Sequence, residues 1–200
     1  MRILVIAPLD SAPTTVTFYA ARRIYETLRS KGYNVDMLPH VFATHFSFLL
    51  REFFSRDDAV IYLGHGTSIG LIGQLPVGLL KMLVDISTKN LVKDKVVITI
   101  ACNTLRRFGR EAPCRAYFGS DYFMSVGYPT LDHNYTEDFV DTWETLILNA
   151  LEKDPYRALD LYRDRCTYYI RLYEAHRWEA WDVYSYAMRI NRDYYGVVVR

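Results

Sequence analysis

Cysteine is scarce in this sequence: three residues among 200, an odd number and widely spaced. That excludes a secreted disulfide framework and leaves reduced thiols, the state expected in the cytoplasm. Net charge is almost absent, since 24 Lys and Arg against 23 Asp and Glu leave +1. Such a balance argues against a protein that holds duplex nucleic acid through bulk electrostatics. No apolar run approaches the ~20 residues that a bilayer helix needs, so no membrane span is expected. Met1–Leu9 superficially imitates a signal peptide, but its apolar part is at the lower limit of length and fits a first core strand better. No Cys-x-x-Cys or His-x-x-x-His pair exists, so no metal site is expected. The glycine-rich stretch from Gly64 to Gly73 lacks both the Gly-Lys-Ser/Thr ending of a phosphate loop and the Gly-x-Gly-x-x-Gly spacing of a dinucleotide fold. No repeat or linker divides the chain, and residues 1–200 read as one domain.

What is present is an ordinary apolar share, 50%, arranged as strands alternating with helices. Ile3–Ala7, Asp58–Leu63 and Lys95–Ala101 are nearly continuous apolar runs, as in strands buried on both faces. Asn34–Leu38 and Tyr122–Val126 read as shorter strands, and Gly196 onward as a late edge strand or tail. Phe18, Ala21, Tyr25 and Leu28 keep helical spacing, with Thr15 or Thr17 as cap and Gly32 as stop. Phe46–Phe54 and Leu79–Ile86 also read as helices. The alternation predicts right-handed βαβ units and a three-layer α/β/α sandwich with a mainly parallel sheet. Ligands of such sheets sit at the carboxyl ends of the strands.

Two strands end in reactive side chains. One runs into Gly64-His65-Gly66, and another into Ala101-Cys102-Asn103. A thiol and an imidazole brought to one sheet edge can act as nucleophile and general base. Either residue alone has a bland reading, a small buried hydrophobe or a turn histidine. The joint pattern is stronger because both sit at the same end of consecutive strands. Glycines beside His65 let backbone approach a substrate, and the Gly66 N–H is a candidate oxyanion donor together with that of Cys102.

Val60-Ile-Tyr-Leu-Gly-His-Gly66 paired with Val97-Ile-Thr-Ile-Ala-Cys102 resembles the caspase–gingipain type of cysteine peptidase, which includes the bacterial CHAT proteases. The likeness extends roughly over residues 58–165, with Glu111–Gly119 and Tyr122–Gly127 similar to that family's next helix and strand. It implies a caspase-like fold, a Cys102–His65 dyad, a protein or peptide substrate and no cofactor. It also implies a specificity pocket built from loops that here carry Asp10 and Asp132, either of which could meet a basic side chain. The narrow caspase signature, with Gln before Ala-Cys and the His about 50 residues upstream, is absent. Two alternatives stay open: a catalytically silent caspase-like scaffold for protein interaction, and a flavodoxin-like domain binding a small ligand at the same edge.

After residue 130 the chain turns helical and aromatic. Thr136 reads as a cap and Asp154-Pro155 as a second start. From Pro155 onward the chain holds nine of the 17 tyrosines and eight arginines against six acids. That composition suits homo- or hetero-association better than single-stranded nucleic acid. Cys114 and Cys166 read as helix packing.

Overall fold

The computed structural model describes residues 1–74 and 81–200. The chain runs through β1 (Arg2–Ala7), α1 (Ala12–Ser30), β2 (Asn34–Pro39), α2 (His45–Ser55) and β3 (Ala59–Leu63). A small antiparallel sheet follows, made of β4 (Gly66–Thr67), β5 (Gly70–Gly73) and β6 (Lys81–Asp85). Then come β7 (Val96–Ile100), the short helix α3 (Phe108–Glu111), β8 (Ala116–Ser120), α4 (Tyr135–Glu152), α5 (Pro155–His176), α6 (Trp181–Tyr194) and β9 (Tyr195–Val199).

The central sheet has the order β2-β1-β3-β7-β8-β9. Its first five strands are parallel, and β9 closes one edge antiparallel to β8. Every residue of β3, β7 and β8 is buried. Period-two alternation divides them between two cores. Ile3, Val5, Ile61, Leu63, Ile98 and Phe118 pack with residues of α1, α4, α5 and α6. Leu4, Ile6, Val60, Tyr62, Val97 and Tyr117 pack on the other face with Phe48 of α2, Phe108 of α3 and the small sheet. The result is the expected three-layer α/β/α sandwich. Among the described residues no helix is long and apolar enough to cross a membrane.

Local chemistry explains the element ends. α1 begins one turn earlier than expected, with Ser11 as its cap and Pro13 in its first turn. The Thr14 hydroxyl accepts from the Ser11 N–H at 2.8 Å and the Asp10 N–H at 3.0 Å. Gly32, at φ +84°, ends the helix in the left-handed region. Asp154 caps α5 as expected, accepting from Tyr156 and Arg157 N–H groups at 3.0 and 3.2 Å.

Four further expectations change. The segment Glu111–Gly119, read as a helix, runs into the strand Ala116–Ser120, and Cys114 lies in the connection between it and α3. Of the helix expected over Leu79–Ile86, the first two residues lie outside the described residues, and Lys81–Asp85 is a strand paired with β5. A short apolar run has no period that separates the two. The strand expected over Tyr122–Val126 is a loop, because β8 has already filled that place in the sheet at Ala116–Ser120. Thr136 lies inside α4, which Asn134 caps, and its hydroxyl donates to the Gly127 carbonyl at 2.8 Å.

At the amino edge of the sheet a buried ion pair joins Lys95 Nζ to Glu52 at 2.6 Å, with Lys95 also donating to the Asp57 carbonyl. Burial pushes the Glu52 carboxyl above the usual range, against the opposing pull of the Lys95 ammonium. Removing one partner leaves the other charge uncompensated. Lys95→Met is therefore expected to cost about 3 kcal/mol in urea unfolding. A carboxyl whose folded pKa is raised binds protons more readily in the native state. The deficit is therefore smallest in acid and grows as pH rises. Adding Glu52→Leu should recover most of it.

Candidate functional site

The parallel pairing of β3 with β7 sets Leu63 opposite Ile100. The Gly64 N–H continues the ladder, donating to the Ile100 carbonyl at 3.2 Å. The chain then leaves both strands at the same carboxyl edge, and His65 and Cys102 emerge side by side there. Glycines on either side of His65 are required by space. A Cβ on Gly64 would lie 2.7 Å from Pro8 Cγ and from the Tyr62 hydroxyl. One on Gly66 would lie 2.4 Å from Thr104 Cγ2 and 2.7 Å from the Cys102 carbonyl oxygen. The two catalytic candidates are thus locked together through backbone contact.

His65 is held by the loop after β1. Its Nε2 lies 2.9 Å from Ser11 Oγ and 3.6 Å from Asp10 Oδ1. The Thr14 hydroxyl sits 3.0 Å from the same Asp10 oxygen. The Tyr62 hydroxyl, 2.6 Å from the His65 and Ile72 carbonyls, fixes the backbone on the other side. Ser11 and Thr14 carry no sequence motif, and Asp10, expected as a substrate contact, lies beside His65 instead.

Cys102 is half-buried. Its sulfur accepts a hydrogen bond from the Met124 N–H at 3.3 Å and lies 3.9 Å from the Met124 carbonyl. An N–H aimed at sulfur is charge-assisted when the thiol ionises. Asn103 takes φ +57°, and its N–H donates to the Tyr122 carbonyl at 2.9 Å. Below the turn, buried Thr104 bonds Thr99 at 2.8 Å, and Thr99 donates to the Phe118 carbonyl. The loop carrying Met124 is itself clasped by Asn191 of α6. That buried amide accepts from the Ser125 N–H at 2.8 Å and donates to the Ser125 carbonyl at 2.9 Å.

His65 and Cys102 share one cavity of about 140 Å³ with Pro13, Thr14, Thr17, Ile100, Met124 and Val126. Among the described residues no hydrogen bond joins the two side chains; Nδ1 of His65 has no partner there. The β4–β5 register puts Gly66 opposite Leu71, while Ile72 N–H bonds the His65 carbonyl. Gly66 is therefore at a non-hydrogen-bonded position, with its N–H turned away from β5.

Asp132 is not part of this cavity. It is exposed in the turn before α4, where it accepts from the Glu179 N–H at 3.0 Å and from the Thr130 hydroxyl. The Glu179 N–H holds its carboxyl below the usual range. His133 lies elsewhere too, 2.6 Å from Asp138 and stacked on Trp178 at 3.8 Å. Arg106 and Arg110 bind Asp121, and Arg107 binds Glu111. A larger depression of about 860 Å³ opens at the opposite sheet edge around Glu52, Phe53 and Lys95. Its walls carry neither thiol nor imidazole, so the smaller cavity is the better reaction site. Among the described residues no group of three His, Cys, Asp or Glu side chains gathers to hold a metal ion.

On comparison with known proteins, no family model matches the chain and no curated protein matches it in sequence. Functional assignment therefore rests on the site's own chemistry.

Of the three thiols, Cys114 and Cys166 are buried and Cys102 is half-buried. Burial pushes Cys114 up to about 11 and Cys166 up to about 12. Both stay protonated in mildly alkaline buffer. Iodoacetamide at pH 8 is expected to alkylate Cys102 alone, as peptide mass spectrometry will show. Gly66→Ala should lower stability by about 1–3 kcal/mol, the usual cost of overpacking. Thermal unfolding checks that loss, and the same substitution should slow Cys102 alkylation.

Proposed function

We propose that the protein is a cysteine endopeptidase of the caspase–gingipain type, with Cys102 as nucleophile and His65 as general base and acid. One observation carries this reading: thiol and imidazole leave adjacent parallel strands at the same edge and line one cavity. The base is oriented by a third group, as a nucleophile–base pair requires. Ser11 Oγ occupies Nε2 at 2.9 Å, with Asp10 behind it at 3.6 Å, leaving Nδ1 to exchange the proton.

In the first half-reaction the Cys102 thiol gives its proton to His65, and the sulfur electron pair attacks the peptide carbonyl carbon. A C–S bond forms, and the carbonyl oxygen takes the negative charge. The N–H groups of Gly66 and Cys102 would receive that oxyanion. Collapse breaks the C–N bond as His65 protonates the departing amine, leaving a thioester. A water molecule then loses a proton to His65 and adds to the thioester carbon. The C–S bond breaks, and the sulfur recovers its electron pair and its proton. The free acid leaves, and no cofactor enters the balance.

Three free thiols and the near-neutral charge suit a cytoplasmic enzyme acting on protein or peptide. Exposed tyrosines on the last two long helices, Tyr156, Tyr168 and Tyr186, suit association with a second copy or another protein. A caspase-like scaffold without turnover is favoured by one observation, the missing hydrogen bond between Cys102 and His65. Catalytic hydrogen bonds often tighten only when substrate is bound, so turnover decides between the two.

Cleavage of a peptide library by wild type, Cys102→Ala and His65→Ala proteins is the test. Cys102→Ala should abolish cleavage, and His65→Ala should lower it by about 10²–10⁴-fold. Asp10→Asn should slow it less than His65→Ala. Equal cleavage by wild type and Cys102→Ala, or none by either, would overturn the peptidase reading.

A further inference from the structure

We infer that the cavity beside Cys102 accepts an uncharged aliphatic side chain, so that cleavage follows residues of leucine or methionine size rather than basic ones. The inference rests on the peptidase reading above and adds the substrate class.

Four observations converge on it. The cavity is walled by Pro13, Thr14 and Thr17 of α1, by Ile100 and Ala101 at the end of β7, and by Met124 and Val126 of the loop after β8. Among the described residues, its only titratable linings are His65 and Cys102 themselves. The two hydroxyls are already committed: Thr17 donates to the Thr14 carbonyl at 3.2 Å, and Thr14 bonds Ser11 and Asp10. An entering polar head would find few free partners.

The acids that a basic residue would need are placed elsewhere. Asp132 is bound to the Glu179 backbone in an exposed turn. Asp10 stands outside the lining, engaged by Thr14 and beside His65. A lysine or arginine head in the cavity would lose its hydration with no carboxylate to receive it. It would also face the first turn of α1, a 19-residue helix whose positive dipole end lies at Ser11 and Pro13. An acidic side chain would meet that dipole end but no cation to offset its lost hydration, because Arg106, Arg107 and Arg110 lie outside the lining and are bound to Asp121 and Glu111.

Size agrees with this. The cavity, about 140 Å³, matches the roughly 150 Å³ apolar cavities that take one benzene-sized group, the bulk of one aliphatic side chain.

The test uses the full chain and peptidyl ketone electrophiles identical except for the residue beside the reactive carbon: Leu, Arg, Asp or Gly. Labelling of Cys102 is followed by intact-protein mass spectrometry, with Cys102→Ser as control. The Leu probe should react about tenfold or more faster than the Arg and Asp probes, the usual reach of a hydrophobic pocket. Met124→Trp, which fills the cavity, should bring the ratio of Leu-probe to Gly-probe labelling down toward one. Val126→Asp, on the partly exposed loop, should move the preference toward Arg and covers the case where Met124→Trp misfolds. Fastest labelling by the Arg probe in wild type would overturn the inference and leave the peptidase reading standing. Labelling by iodoacetamide but by no peptidyl probe would overturn both.

Discussion

Parallel strands deliver their carboxyl ends to a common edge, and here two neighbours do so almost in step. Leu63 opposite Ile100 is the constraint on which the site depends. A shift of one residue in that pairing would turn the following side chains to the other face. The register is held by burial on both faces: β3 and β7 have no exposed residue, so a slip would set each side chain against the wrong core. The reactive residues therefore inherit their relative position from two fully buried strands. The glycines around His65 complete the arrangement by letting backbone from the small sheet rest against the Cys102 carbonyl.

The far third of the chain reaches the same edge by another route. α4, α5 and α6 pack together in the larger core, and residues of α6 and of the turn before it hold the loop after β8. Asn191 grips Ser125 at two points, and Glu179 grips Leu131 and Asp132. Met124, which faces the Cys102 sulfur, sits one residue from the Asn191 clasp. Each buried polar group in this clasp is paired, so loosening one strands its partner in low dielectric. The aromatic helices thus shape the thiol's surroundings without touching it. Tyr173 and His133 both converge on Asp138, whose carboxyl burial pushes up. That knot fixes the foot of the same loop.

Much of the architecture was legible in the sequence because the central strands are buried on both faces and spell out as apolar runs. Ile3–Ala7, Asp58–Leu63 and Lys95–Ala101 each became a strand at nearly those bounds. His65 and Cys102 stood out because each ends such a run. Residues 81–85 did not read as a strand, since their pairing comes from β5 and not from any period of their own. The loop at 122–126 looked like a strand because Tyr122, Phe123, Met124 and Val126 are apolar; they serve a cavity wall and a surface instead of a sheet. Ser11, Thr14 and Asn191 were invisible for a different reason. Their roles are set by partners 54, 4 and 66 residues away, and single polar residues carry no pattern. A backbone donor such as the Met124 N–H has no side-chain signature at all.

The antiparallel entry of β9 has a practical consequence. Val199 pairs with Ala116 at the start of β8, and the Arg200 N–H bonds the Arg115 carbonyl. The last residue therefore emerges at the amino edge of the sheet, where Arg2 opens β1. Four strand spacings separate β1 from β9, roughly 20 Å. Tethering the molecule to a bead or a surface through a residue of this edge, such as Arg2 or Arg200, would leave the thiol cleft at the opposite edge facing outward into solution.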